Sequence, residues 1–220
     1  MISLFFLLFA SLPILCGSAE AKGGYNVWAK EKIRYLNSRI VRDPYNPQLR
    51  LLMANAYIDD GRKFEAKKEL YHALELDSTF AEAYCNLGVV LHSQGYAKEA
   101  QTNYETALSL DSTLVEARAG LGTLLCRSER QVEGLEHLEA VIRMDPDHLG
   151  ALYNMAVAYH QVEDFKKAIE YFEVLLQIQV DYPGAKINLA RAYYSLGLMR
   201  LQAEQTGLAI ACLLYTSPSP

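Results

Sequence analysis

Residues 81–114 read AEAYCNLGVVLHSQGYAKEAQTNYETALSLDSTL. Leu87, Gly88 and Leu91 fall on one helical face, Ala100, Tyr104 and Ala107 fall on another, and Gly95 stands between the two runs. That spacing predicts a pair of amphipathic helices joined by a short turn. Neither helix can bury its apolar stripe alone, so the reading of this stretch depends on what stands on either side of it.

Moved by its own length of 34 residues, the pattern recurs. With Ala81 as position 1, position 8 is Ala54, Gly88, Gly122, Ala156 and Ala190 in successive copies, and position 20 is Ala66, Ala100, Gly134 and Ala168. Position 7 is Met53, Leu87, Leu121, Met155 and Leu189; position 24 is Leu70, Tyr104, Leu138 and Phe172. Small residues at 8 and 20 let two helix axes approach to about 8–10 Å, and large apolar residues beside them fill the space that remains. Full copies are expected at 47–80, 81–114, 115–148 and 149–182, with a partial fifth at 183–211 whose second helix would be Leu198 to Ala211. In that last segment Gln202 and Thr206 stand where a small and a large apolar residue belong. The third copy has Glu129 at the turn and Gly134 at position 20, and it is expected to be the loosest, because Gly inside a helix costs about 1 kcal/mol against Ala.

These marks resemble the tetratricopeptide repeat family over roughly residues 47–197. The resemblance implies an all-α, right-handed superhelical solenoid of antiparallel helix pairs. It also implies a concave groove lined by the first helices at positions 2, 5, 9, 12 and 13. The groove candidates so identified are Leu51, Asn55, Cys85, Val89, His92, Cys126, Arg127, Tyr153, Val157, His160, Ile187, Arg191 and Tyr194, joined by Asn86, Asn154 and Asn188 at position 6. That mixed surface suits an extended or helical peptide, with Tyr153 and Tyr194 the preferred anchors. Members that capture acidic chaperone tails use a carboxylate clamp. Here Asn55 and Asn86 match it, but Leu51, Glu116 and Gly120 stand where basic residues are needed, so such a tail is not the expected ligand. The three Asn also resemble the asparagine ladder with which some superhelical members hold a peptide backbone. Leu52 and Gly120 interrupt it, and a role in tying neighbouring turns is favoured.

The remainder of the chain is read outward from this array. The 220 residues carry a net charge of −5, and no cluster of Lys or Arg stands out along the chain, which argues against a nucleic-acid partner. Ile2 to Leu15 is an apolar run too short to span a bilayer, which takes about 20 residues, and Ala19-Glu20-Ala21 fits a cleavage site. Residues 1–21 are therefore expected to be a signal peptide. The chain is expected outside a bacterial cytoplasm, periplasmic or secreted, and in contact with a membrane only if that segment is retained or lipidated at Cys16. Residues 22–46 are expected to form a Gly23-Gly24 joint and a capping helix, with Trp28, Ile33, Leu36 and Ile40 at helical spacing and Asp43-Pro44 as its stop. Residues 212–220, CLLYTSPSP, resemble a translated sequencing adapter and are excluded from fold reasoning.

No motif points to catalysis. No phosphate loop, zinc-protease helix or nucleophile elbow is found, no cofactor is expected, and the carboxylates fall at solvent positions. His92, Cys126 and His160 share position 12, but copies spaced about 10 Å apart keep them from one metal ion. Cys85 and Cys126 are expected to be separate free thiols. The chain is read as a non-enzymatic scaffold for protein or peptide partners. The alternative is the substrate-recruiting front of a longer enzyme.

Overall fold

The computed structural model describes residues 22–128 and 130–216. Among them are ten helices and no strand. Helix α1 (Lys22–Arg42) leads into four antiparallel pairs: α2 (Pro47–Asp59) with α3 (Lys63–Leu76), α4 (Ala81–Ser93) with α5 (Ala97–Leu110), α6 (Val115–Cys126) with α7 (Gln131–Met144), and α8 (Leu149–Gln161) with α9 (Phe165–Ile178). A single long helix, α10 (Ala185–Thr216), closes the series.

The close-approach residues sit where the helices of each pair cross. Ala54, Ala66, Ala100, Ala156 and Ala168 are fully buried, with Leu70, Tyr104, Leu138 and Phe172 beside them. In the first, second and fourth pairs the turn holds a left-handed residue at position 15. Gly61 (φ +75°) and Gly95 (φ +87°) supply it without strain, and Glu163 (φ +63°) supplies it as a non-glycine residue. Glu129, the corresponding residue of the third copy, lies outside the described residues. Between repeats the chain is turned by a device that the periodicity did not reveal. Asp77 Oδ1 accepts from the N–H and hydroxyl of Thr79 at 2.9 and 2.7 Å, and Asp111 Oδ1 accepts from those of Thr113 at 2.8 and 2.7 Å. In the third repeat Asp145 Oδ1 accepts from the Asp147 N–H at 3.3 Å, with Pro146 between them.

The first helices α2, α4, α6, α8 and α10 touch one another in chain order, whereas α3, α5, α7 and α9 do not touch among the described residues. Pairs that meet along one layer and splay along the other make a solenoid that curves toward the first helices.

Four expectations are corrected. Gly23 and Gly24 lie within α1, which begins at Lys22, so this pair is part of the helix and not a joint before it. Trp28 points away from the core; Ala29, Ile33 and Leu36 are buried, and Ile33 and Leu36 meet Leu49, Met53 and Ala56. The third repeat is not loose at Gly134. A Cβ there would stand 2.5 Å from the Cys126 nitrogen and 2.8 Å from the Gly122 carbonyl oxygen, so two glycines face each other at a crossing with no room for a methyl group. Finally, no turn forms after Gly197. With Gln202 and Thr206 in place of apolar residues, a returning helix would bury little against α10, and continuing the helix keeps every main-chain bond.

Candidate functional site

The three position-6 asparagines each reach across to the preceding first helix. Asn86 Nδ2 donates to Asn55 Oδ1 at 2.8 Å, Asn154 Nδ2 to Thr123 Oγ1 at 2.8 Å, and Asn188 Nδ2 to the Tyr153 hydroxyl at 2.8 Å. These bonds tie the floor of the concave face together. The series breaks at Gly120 for a steric reason: a Cβ there would lie 2.5 Å from Cζ of Tyr104, and one at Gly88 would lie 2.7 Å from its Cε1. The Tyr104 ring is thus slotted between two glycines of successive first helices. Burial, followed by the neighbouring Cys85, pushes its phenol above the ordinary tyrosine range.

The predicted groove residues separate into three groups. Leu51, Cys85 and Cys126 are buried in the seams between helices and are not offered to a ligand. Both cysteines are free thiols. Burial first, then the Glu116 and Glu82 carboxylates, pushes Cys85 up to about 12, and burial pushes Cys126 up to about 11. Asn55, Asn86, His92, Tyr153, Asn154, Val157, His160 and Asn188 are half-buried, and Val89, Arg127, Ile187, Arg191 and Tyr194 are exposed. Burial, then the Arg127 charge, lowers the His92 imidazole. His160 meets Phe165 edge-on at 5.2 Å and lies 3.4 Å from the Ser195 hydroxyl. Among the described residues no three His, Cys, Asp or Glu side chains gather as a metal site would require.

The two tyrosine anchors differ. Tyr153 is engaged from within, with its ring 5.9 Å from Phe172 and 5.2 Å from Tyr182 and its hydroxyl taken by Asn188. Tyr194 is 69% exposed. One hollow of about 200 Å³ opens between α8 and α10, lined by Val157, His160, Gln161, Phe172, Asn188 and Arg191. Its floor is Phe172, which sequence reasoning assigned to the core as the large residue at position 24 and did not connect with the groove. Ser195, beside His160, was also missed. It stands at position 13 of its copy, the position of Arg127 in the third, so the positional rule itself would have marked it. Arg191 Nη1 lies 3.4 Å from Asn188 Oδ1 and has no carboxylate within ion-pair distance among the described residues. The hollow therefore joins an apolar floor to a few convergent polar groups, the common composition of a ligand site.

Comparisons with known proteins agree with this geometry. Family models match in three places: "Tetratricopeptide repeat" over 147–214, "TPR repeat" over 54–95 and "Tetratricopeptide repeat" over 81–114. The first of these runs to residue 214 although α10 does not turn back, so the repeat pattern in the residues outlasts the hairpin in space. Among solved structures the chain is similar to MamA, with 25% identity, a TM-score of 0.56, and coverage of 67% of this chain and 86% of that one. It is similar to YrrB, described as a TPR protein with an unusual peptide-binding site, with 26% identity, a TM-score of 0.56, and coverage of 72% and 82%. The APC/C hetero-tetramer Cut9-Hcn1 matches with a TM-score of 0.72 at 15% identity, over 76% of this chain and 34% of that one, a likeness of fold alone. The curated proteins contain no match.

Proposed function

We propose that this chain, a tetratricopeptide repeat protein, is a non-enzymatic interaction scaffold that takes an extended or helical peptide along its concave face. The observation that carries the reading is the hollow between α8 and α10, where apolar Val157 and Phe172 line one space with Asn188, His160 and Arg191; exposed Tyr194 follows Arg191 by three residues on α10. The similarity to YrrB, whose peptide-binding site is named, supports the same use of the fold. Tyr194 presents a large, stiff, amphipathic ring, which anchors a peptide at small entropic cost.

The test uses a peptide selected from a displayed random library on the full chain and read by fluorescence polarisation. Tyr194→Ala is expected to weaken its binding by about tenfold or more, as removal of a central aromatic anchor does. The circular dichroism spectrum should stay unchanged, because Tyr194 packs against little. Undiminished binding removes the groove assignment. Tyr153→Ala is a poorer probe, since it also unties Asn188 and uncovers Phe172.

We further propose that the scaffold works outside a bacterial cytoplasm. The apolar run Ile2–Leu15 followed by Ala19-Glu20-Ala21 supports export, and both lie outside the described residues. Amino-terminal sequencing of protein recovered from the periplasm or medium should begin at Lys22; a chain found only in the cytoplasm with Met1 intact refutes export.

A further inference from the structure

Helix α1 differs in charge from everything that follows it. Between Lys22 and Arg42 stand six bases, Lys22, Lys30, Lys32, Arg34, Arg39 and Arg42, against the one acid Glu31, a net charge of +5 in a chain whose total is −5. Spread singly over 21 residues, they do not form a run, so a reading along the chain passes over them. The helix gathers them. Its buried stripe, Ala29, Ile33 and Leu36, faces α2, which is the one element that α1 touches among the described residues. The opposite side meets no other element among the described residues. On it Trp28 is 76% exposed and Tyr35 58% exposed, with Val27 beside them and Arg34, Arg39 and Arg42 interleaved. Arg39 lies over the Tyr35 ring at 5.9 Å and donates to its hydroxyl at 2.9 Å, and Lys32 pairs with Asp59 at 3.4 Å. Arg34 and Arg42 have no carboxylate within ion-pair distance among the described residues.

We propose that this outer face of α1 rests on an anionic phospholipid surface, holding the acidic repeat array to a membrane by its amino-terminal end. Three features of the face fit a lipid surface together. The guanidinium groups match phosphate oxygens. Tryptophan and tyrosine prefer the headgroup region, where an apolar ring and a polar edge are both satisfied. Exposed Val27 adds apolar area that a polyanion in water would not cover but that a bilayer would. The rest of the chain carries a net −10 by difference, so an anionic leaflet repels the array while it attracts α1, and only one end of the solenoid makes contact. Contact at that end leaves the hollow between α8 and α10 free, so this inference stands independently of the peptide reading.

The chain's one tryptophan is Trp28, so its fluorescence reports on this helix alone. The full chain is titrated with vesicles of pure phosphatidylcholine and with vesicles of equal parts phosphatidylcholine and phosphatidylglycerol. A blue shift of Trp28 emission with the anionic vesicles, reversed by salt and absent with the neutral ones, is the expected result. Replacing Arg34, Arg39 and Arg42 together by Gln should weaken binding roughly 100-fold, because each base near an anionic surface contributes about a factor of five. All three side chains are exposed, so the variant should fold as the parent does. Equal binding to both vesicles, or anionic binding unchanged in the triple variant, overturns the proposal, since neither depends on the charge of α1. Trp28 quenching by polyuridylate with no response to vesicles overturns it in favour of a nucleic-acid surface.

Discussion

Gly134→Ala separates two physical accounts that differ in sign. If Gly134 is merely a weak point in α7, alanine restores helix propensity and the protein gains about 1 kcal/mol. The structure places a Cβ at that position 2.5 Å from the Cys126 nitrogen, 2.6 Å from its Sγ and 2.8 Å from the Gly122 carbonyl oxygen. Non-bonded heavy atoms rest about 3.5–4.0 Å apart, so α7 must retreat from α6 by about 1 Å. Two of the three obstructing atoms are backbone and have no rotamer to change. Overpacking of this kind costs about 1–3 kcal/mol, and the propensity gain of about 1 kcal/mol offsets part of it, leaving a net loss of up to about 2 kcal/mol. For a chain of this size that is a fall in Tm of up to about 8 °C. Gly197→Ala is the control: the residue is helical, a Cβ meets nothing within 4 Å, and Tm should rise by about 2–4 °C. The measurement is thermal unfolding by circular dichroism. Hydrogen exchange of α6 and α7 accompanies it, because a solenoid can open one repeat at a time. A rise in Tm for both variants, with protection of α6 and α7 preserved, refutes the close-crossing argument.

Three further outcomes are expected. Glu163→Gly should raise Tm, because an L-residue at φ +63° carries about 1 kcal/mol of strain that glycine relieves, less the entropy that glycine loses; a fall in Tm shows that the Glu163 side chain does more than occupy the turn. Asp77 and Asp111 are held below the usual carboxylate range, first by the Thr79 and Thr113 hydroxyls and then by their backbone N–H groups. Their folded values lie below the unfolded value of about 4, so their contribution is complete above it and fades as pH falls through the folded values. Asp77→Asn with Asp111→Asn should therefore flatten the acid limb of Tm against pH, and an unchanged limb counts against the turn assignment. Cys85, with its thiol pushed up to about 12, should resist alkylation in the folded protein at neutral pH and react once urea unfolds it, as peptide mapping by mass spectrometry would show.

The repeat was legible because close packing leaves a simple mark: Ala or Gly at two fixed positions, repeated at a constant interval. What that mark does not carry is the meaning of glycine within a helix, which can be a defect or a requirement. Gly134 differs from Gly197 only in what stands opposite, and that is a property of the neighbouring helix. Tyr104 shows the same gap. Its slot is made by Gly88 and Gly120, residues in two different repeats, and only the fold shows that they flank one ring. The charge of α1 went unread for a related reason: bases at Lys30, Arg34 and Arg42 are scattered along the chain and become neighbours on a helix surface.

The groove was half legible, and the burial of its residues shows where the positional rule failed. Position 5 was read as lining the concave face in every copy. Yet Leu51 and Cys85 are buried, Tyr153 is half-buried against Asn188 of α10, and Ile187 is exposed. The trend follows cover. A residue at position 5 is enclosed by the first helix of the next repeat, and Ile187 has no such helix after it among the described residues. Position 5 is therefore a seam between first helices, and its exposure on α10 reflects its place in the series. Position 9 behaves differently. Asn55, Val89, Thr123, Val157 and Arg191 are all at least partly open, whether or not a repeat follows. Read along the array, that row passes from amide to apolar to hydroxyl to apolar and ends on the Arg191 cation, three residues before Tyr194. The chemistry a peptide would meet thus lies in this row and in His92, His160 and Tyr194 at position 12, and the most selective part of it is the carboxyl-terminal third, where the only charged member of the row stands.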